Sequence, residues 1–463
     1  MNLWAKKRPE DLQEASEHTQ LRKSLRAVDL AALGIGSVVG TGIFVATGQG
    51  AHLAGPGVLL SFIIAAITAG LCALTYSELA SMFPVAGSTY SYSYAAFGEV
   101  IAWIIGWDLM LEYLVSASAV ASGWSTTFIG LLENLGLKLP KALCLTPLAG
   151  GIVDLPAILI TLLITWILYL GIRESSITNN IIVVLKVAVI VLFIVLGIRH
   201  VNLSNLTPFA PFGWKGIMAG AAIIFFAYIG FDAVSTAAEE TINPKKDVPL
   251  GLMLCLAVVI VLYVGVAFVL TGLVPFKEID VGNALPAALA RIGIRWGGAL
   301  VATGGIIGMI STLLITVYGQ VRIFMVMARD GLLPEVFSKV HPKHRTPAIC
   351  TWITGALTAL IAGFFPLGII IELCNIGTLF AFILVSVGVI VLRHTQPQVE
   401  RRFRTPLVPF TPLITIGFCL YLMASLPSLT WLRFSAWLGA GLLIYFAYGI
   451  RHSRMQKRYP PAR

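Results

Sequence analysis

Long apolar stretches recur along the chain, and short polar stretches separate them. We count twelve such segments and number them 1 to 12 in chain order. They cover residues 28–52, 57–81, 99–131, 154–173, 175–198, 214–238, 249–273, 297–325, 347–364, 367–392, 407–427 and 430–450. Most reach the roughly 20 residues that a helix needs to cross a bilayer, whereas barrel strands would be about 10 residues of alternating polarity. The pattern predicts an all-α polytopic membrane protein with twelve transmembrane helices.

The composition favours the same class of protein. Of the 463 residues, 57% are hydrophobic and 12% are charged, whereas soluble domains are about 45–50% apolar and about 25% charged. A solvated globule and a disordered chain are therefore excluded, and the lipid bilayer is the expected surrounding. The six cysteines form no CxxC pair, which argues against a disulfide framework or a metal site.

Segments 1 and 6 carry interruptions in their apolar pattern. Segment 1 reads GIGSVVGTGIF over residues 34–44, and segment 6 reads FFAYIGFDAVST over residues 225–236. Segments five apart cross in opposite directions, and paired broken helices in two inverted halves favour a transport site at the bilayer midplane. The alternative is that Gly36 and Gly40 only allow close helix packing, which does not account for Gly230 and Asp232 in segment 6.

The positions of Lys and Arg predict the orientation. Twelve crossings put both termini on one side, together with 23 of the 32 Lys and Arg residues; eight fall on the other side and Lys186 lies inside segment 5. This favours cytoplasmic termini in the cell membrane. We therefore expect a cytoplasmic amino-terminal tail, two inverted five-helix repeats, and segments 11 and 12 with a cytoplasmic carboxy-terminal tail, at residues 1–26, 27–198, 199–393 and 394–463.

The chemistry of the two breaks predicts an amino acid site. An unwound stretch at Gly40, Thr41 and Gly42 would present backbone amides at the positive end of a half-helix, which suits a carboxylate. The break in segment 6 would free carbonyl groups for an ammonium group near Phe226, Ala227 and Ile229. Phe226 and Phe231 would supply aromatic lids. An anion cradle beside an ammonium cradle suits an α-amino acid.

Two ionisable residues inside the segments stand out. Lys186 lies at mid-depth in segment 5, where a charged lysine costs about 2.5–3.5 kcal/mol. We interpret it as a proton-loading amine, the alternative being a permanently charged lysine that ties broken-helix carbonyls together. Glu112 in segment 3 could receive a substrate amine or a proton, or could be a protonated acid bonded to a neighbouring helix. Asp232 could satisfy freed backbone groups. Glu78, Glu239 and Glu240 are expected near the cytoplasmic ends of their helices, where a solvated end is favoured and a gating salt bridge is the alternative.

The sequence does not support an enzyme, a metalloprotein or a nucleotide-driven pump. The seven histidines lie in tails, loops or helix ends, and there is no phosphate-binding GxxxxGK[ST] motif. We therefore expect no enzyme, no catalytic residues, no metal, no cofactor and no nucleic-acid partner. The expected partners are an L-amino acid, protons and lipid; whether a small membrane subunit accompanies the chain is left open.

At these residues the sequence resembles the amino acid–polyamine–organocation superfamily, and most closely its cationic amino acid transporter family of the bacterial, proton-coupled type. The resemblance covers residues 26 to 393, and the stretch FFAYIGFDAVSTAAEETINPKKDVP is its most specific part. The stretches that carry it are residues 36–44, 54–94, 106–113, 225–249, 318–334 and 372–393.

The resemblance implies a leucine-transporter-like fold of two inverted five-helix repeats plus two helices, with alternating access. It implies that Lys186 replaces a sodium ion, with Ser311 and Thr312 nearby, and that Phe226 gates the substrate. The substrate-binding residues so expected are Val38, Gly40, Thr41, Gly42, Ile43, Glu112, Phe226, Ala227, Ile229, Phe231 and Met309.

The sequence therefore predicts a secondary active transporter that imports L-amino acids by proton symport. Glu112 would suit a cationic side chain, whereas the largely apolar pocket suits a small neutral one, so both substrate classes stay open. Two alternatives remain: an amino acid exchanger, and an amino acid sensor that transports nothing.

Overall fold

The computed structural model describes residues 3–7, 23, 25–83, 88–171, 176–344 and 346–458, and helices dominate these ranges. They hold no strand longer than an isolated bridge, such as that between Leu25 and Thr241. Ten segments form helices without a break in the middle: Val58–Met82, Glu99–Asn134, Leu155–Tyr169, Ser176–Ile198, Pro244–Leu273, Arg295–Arg329, Ala348–Phe364, Leu367–Thr395, Phe410–Ala424 and Ser428–Ile444. Helices suit lipid because each backbone polar group finds its partner within the segment.

The helices are those of a multi-pass membrane protein, as predicted. Eight helical stretches in the described ranges are long and apolar enough to cross a bilayer, and shorter apolar helices such as Leu155–Tyr169 and Ala348–Phe364 accompany them. Large apolar side chains lie exposed on the helix surfaces, for example Leu443 at 74% and Val261 at 73%. Such faces fit lipid tails rather than water.

Segments 1 and 6 are both interrupted. In segment 1 the helix Ala27–Val38 ends at an extended Val39, and helical structure resumes with the turn Gly42–Ala46 and the helix Thr47–Ala54. In segment 6 the helix Gly213–Ile224 passes through the tight turn Phe225–Tyr228.

Segment 6 then breaks at a position that requires glycine. Ile229 is extended, with ψ of 142°, and Gly230 follows with φ of +108°. A side chain at that φ would clash with its own backbone, so glycine is the residue that permits the break. The short helix Ala233–Thr236 continues the segment beyond it.

The helices pack in two groups. Segments 1, 2, 6 and 7 contact one another, as do segments 3, 4, 8 and 9, and segments 5 and 10 each touch both groups. Two short helices connect the long ones: Ser88–Ala96 precedes segment 3, and Ala284–Arg291 precedes segment 8. The breaks of segments 1 and 6 therefore lie where the first group faces the second.

Both ends of the described chain pack against the start of segment 3 and the end of segment 8. Lys7 Nζ lies 2.8 Å from a carboxylate oxygen of Asp330, whose carbonyl accepts the amide of Arg454. Buried Glu99 accepts the hydroxyl of Ser453 at 2.5 Å and that of Tyr445 at 3.0 Å. These contacts tie residues far apart in sequence into one cluster at the helix ends.

At Glu78 the favoured expectation of a solvated helix end is wrong, and the structure shows the alternative, a salt bridge. Its side chain is 1% exposed and pairs with Arg393 Nη2 at 2.8 Å and Arg401 Nε at 3.3 Å, while the amide of Thr405 also donates to it at 2.8 Å. The connection after segment 10 folds back over the end of segment 2 and excludes water. A buried carboxylate is tolerated when its charge is paired and hydrogen-bonded.

Candidate functional site

The two breaks touch each other at a pair of small residues. A Cβ atom at Gly42 would lie 2.4 Å from the Cα of Ala227, and one at Gly230 would lie 2.8 Å from Ser37 Oγ. Glycine at these two positions therefore lets the interrupted parts of segments 1 and 6 meet backbone to backbone. Of the predicted site residues, Gly42 and Ala227 are brought into direct contact.

Thr41 lies against segments 3 and 8. Its hydroxyl is 3.3 Å from Met309 Sδ and 3.5 Å from the carbonyl oxygen of Val120, and a Cβ at Gly123 would fall 2.3 Å from its methyl carbon. Thr41 and Met309 are both buried. The structure thus places Met309 beside the start of the second half of segment 1. Ile43 in that half and Val38 at the end of the first half are also buried.

Lys186 is fully buried and points at the end of the first half of segment 1. Its Nζ donates to the carbonyl oxygen of Gly36 at 2.5 Å and to Thr312 Oγ1 at 2.8 Å. Its aliphatic stem packs against Gly308, where a Cβ would lie 3.0 Å from Lys186 Cγ. Thr312 also lies beside Gly40, and its neighbour Ser311 is buried. One amine therefore joins segments 1, 5 and 8 at the break.

The aromatic residues of segment 6 lie in different surroundings. Phe226 is 6% exposed, and its carbonyl accepts the amide of Ile229 at 3.3 Å, so that carbonyl is engaged within the turn. Phe231 is fully buried and stacks on Phe382 at 5.3 Å between ring centroids, with Tyr76 at 6.4 Å. Phe231 is thus packed between segments 2 and 10.

Three carboxyl groups lie close enough for their charges to interact. Glu112 lies one helical turn after Asp108 on segment 3, and the charge of Asp232, at the break of segment 6, also acts on it. All three are at most 4% exposed, and neither oxygen of Asp108 has a hydrogen-bond partner among the described residues. Glu112 therefore lies within range of the charge at the break in segment 6, whereas Lys186 contacts the break in segment 1.

Sequence reasoning missed two side chains that hold the breaks. Tyr263 of segment 7 donates its hydroxyl to the carbonyl oxygen of Val38 at 3.1 Å, and Asn375 of segment 10 donates Nδ2 to the carbonyl oxygen of Ala222 at 2.6 Å. Both residues are buried. The available signal was a polar group in the middle of an apolar run, which needs a partner when it is buried.

Comparison with known proteins decides the family. A sequence model of the amino acid permease family matches residues 25–444. The chain belongs to this family. As a permease it is a membrane transporter rather than an enzyme, and the resemblance described from the sequence is confirmed.

Three relatives of this permease carry different substrate names. It is 48% identical over 459 residues to the methylthioribose transporter of Bacillus subtilis (strain 168), covering 98% of this chain and 100% of the relative. It is 46% identical over 462 residues to the branched-chain amino acid permease BcaP of the same organism, covering 98% and 99%. It is 39% identical over 389 residues to the vacuolar cationic amino acid transporter 4 of Arabidopsis thaliana, covering 82% and 64%.

Proposed function

We propose that this permease is a secondary active transporter that imports L-amino acids, cationic and/or small neutral, by proton symport with alternating access. The observation that carries the proposal is the position of Lys186 Nζ, which joins the carbonyl of Gly36 to Thr312 at the break of segment 1. A titratable amine at the joint between two groups of helices can make their contact depend on a proton.

The proposed coupling follows from hydrogen-bond strength. A charged amine makes roughly twice as strong a hydrogen bond to a carbonyl as a neutral one does. Protonated Lys186 would hold segment 1 against segments 5 and 8, and the neutral amine would release it. Because the same segment carries the substrate site, loading or losing the proton would bias which side of the membrane the site faces.

Substrate binding is proposed at the contact between the two breaks. The amides of Gly40, Thr41 and Gly42 begin the second half of segment 1, where the first N–H groups have no partner within the helix and suit a carboxylate. The turn at Ala227 and Ile229 would take the ammonium group, and Phe226 would gate it.

The side chain of the substrate would face both apolar and acidic groups. Met309, Val38 and Ile43 suit a neutral side chain, whereas Glu112 and the nearby Asp232 suit a cationic one. The relative named for branched-chain amino acids agrees with a neutral side chain, and the relative named for cationic amino acids agrees with a cationic one. Because a third relative is named for methylthioribose, substrates other than amino acids must be tested as well.

The proposed topology is twelve crossings, built as two inverted repeats (27–198 and 199–393) plus segments 11 and 12, with both termini in the cytoplasm of a cell-membrane protein. Its support is the pairing of segments 1 and 2 with 6 and 7, and of 3 and 4 with 8 and 9. An inverted repeat pairs equivalent members of the two halves in this way.

Uptake of radiolabelled substrates into liposomes that hold the purified protein tests the proposal. The panel contains lysine, arginine, alanine, leucine and methylthioribose, each with and without an inward proton gradient. Accumulation of an amino acid only with the gradient supports symport. Uptake that ignores the gradient but needs internal amino acid means exchange. Binding without any flux means a sensor, and either result overturns the proton-coupled account.

A further inference from the structure

A cavity of about 450 Å³ lies between the far end of segment 3 and the connection that joins segments 7 and 8. This volume is in the range of sites for small molecules. The polar residues that line it include Thr126, Glu133, Glu278, Asp280, Asn283 and Arg291. Alanines of the helix Ala284–Arg291 form an apolar wall.

The charge in the cavity is unbalanced. Arg291 pairs with Glu278, while Glu133 and Asp280 form no ion pair in the part of the chain that the structure describes. Asp280 uses Oδ1 to accept the amides of Gly282 and Asn283 at 3.0 and 3.2 Å, which fixes the turn but leaves its charge uncompensated. The net negative charge of the residues that line the cavity therefore favours a cation.

Asn283 gives independent evidence that a ligand binds. Its side chain lines the cavity, the residue is 8% exposed, and its Oδ1 has no hydrogen-bond partner among the described residues. A buried acceptor without a donor costs about 1–3 kcal/mol, so a ligand that brings an N–H group would be stabilised there. The acidic side chains of the described residues do not cluster as metal ligands do, which favours an organic cation.

The cavity lies beyond the breaks along segment 3. Glu133 is ten residues beyond Gly123, which packs against Thr41, and ten helical residues span about 15 Å. The second half of segment 1 also touches the wall of the cavity, because His52 Nε2 lies 2.8 Å from the carbonyl oxygen of Ile279.

We infer that this cavity is a separate loading site for the ammonium or guanidinium side chain of a cationic amino acid, on the extracellular side of the breaks. The inference uses the orientation in the proposed function. A cationic amino acid carries net positive charge and is attracted by Glu133 and Asp280, whereas a neutral zwitterion gains nothing from them. The site raises the local concentration of cationic substrates above the central site.

The double variant Glu133→Gln with Asp280→Asn removes the charge and keeps the shape, since asparagine still accepts both turn amides. At low ionic strength, KM for lysine uptake rises about tenfold, in line with electrostatic focusing in clefts, while KM for alanine is unchanged. Glu372→Gln is the matched control, because its partner Thr430 can still bond to glutamine. An unchanged KM for lysine, or an equal rise for alanine, overturns the inference.

A labelling experiment tests the site without any transport. Ala287→Cys, in a Cys144→Ser background, places a thiol on the cavity wall, and its reaction with a maleimide is followed in detergent. Lysine slows the labelling, leucine does not, and the double variant loses the protection. Labelling that ignores lysine, or is slowed equally by both amino acids, overturns the inference. This result stands even where no panel member is taken up, in which case the proposed function fails by itself.

Discussion

The breaks of segments 1 and 6 are held in chemically different ways. At segment 1, side chains of three other segments reach the carbonyls of Gly36 and Val38, and one of them is the amine of Lys186. At segment 6, the carbonyl of Ala222 is held by the side-chain amide of Asn375, and Tyr228 of the turn donates to the carbonyl of Phe62 at 3.2 Å.

This difference assigns the two breaks different roles in the proposed cycle. An amide and a phenol keep their protons throughout the physiological pH range, so these two bonds do not depend on pH, and the titratable group at the break of segment 6 is Asp232 instead of an amine bound to a freed carbonyl. An amine can lose its proton, so the bond that holds segment 1 can weaken. We therefore expect segment 1 to move with protonation and segment 6 to stay as the fixed reference for the substrate.

Replacing Lys186 by methionine has the largest expected effect. The variant keeps the volume of the stem against Gly308 but removes the amine from Gly36 and Thr312. Gradient-driven accumulation in liposomes falls by about 5–150-fold, the range of a coupling free energy of 1–3 kcal/mol, while binding in the absence of a gradient persists. Accumulation at the parental level would show that the proton acts elsewhere.

Gly42→Ala separates the two breaks and has the next largest effect. The new methyl group would lie 2.4 Å from the Cα of Ala227, so the backbones must move apart. We expect a destabilisation of about 1–3 kcal/mol, typical of overpacking, seen as a lower melting temperature together with loss of uptake. Gly439→Ala is the control, since a Cβ there meets no atom within 4 Å.

Asn375→Ala tests the fixed role of segment 6. It leaves the carbonyl of Ala222 without its donor at a cost of about 1–3 kcal/mol, so the melting temperature and the maximal uptake rate fall. The pH dependence of uptake stays parental, because no titratable group is lost. Asn205→Ala removes a similar 2.8 Å bond, to the carbonyl of Gly272 at a helix end, and should lower stability while sparing uptake. A shifted pH profile in Asn375→Ala would remove the distinction between the breaks.

A matched pair of tyrosine variants gives the smallest expected effects. Tyr263→Phe frees the carbonyl of Val38, and Tyr228→Phe frees that of Phe62; each lost bond is worth about 1 kcal/mol. We expect Tyr263→Phe alone to shift the pH at which uptake is half-maximal, because it loosens the segment that Lys186 holds. Equal pH profiles in the two variants would mean that Tyr263 has no part in coupling.

The sequence predicted the helices and the two breaks because their signals are local. Apolar runs determine the helices, and glycines such as Gly40 and Gly230 mark the interruptions. Lys186 could be found because a lysine at mid-depth is unusual on its own element. The partners of Glu78, by contrast, come from the end of segment 10 and the connection after it, more than 300 positions away. The stacking of Phe231 on Phe382 depends on how segments 6 and 10 pack. Such contacts leave no mark in the pattern of either segment.

The cluster at the chain ends bears on how the protein is made. Glu99 and Ser453 are 354 residues apart, and a ribosome adds about 5–20 residues per second, so roughly 20 to 70 seconds of synthesis separate the two partners. Segment 3 must enter the membrane while its buried carboxylate still lacks the hydroxyls of Tyr445 and Ser453. The nascent chain therefore completes this cluster only after segment 12 has been synthesised, and truncation near residue 450 would leave Glu99 with the hydroxyl of Tyr445 but without that of Ser453.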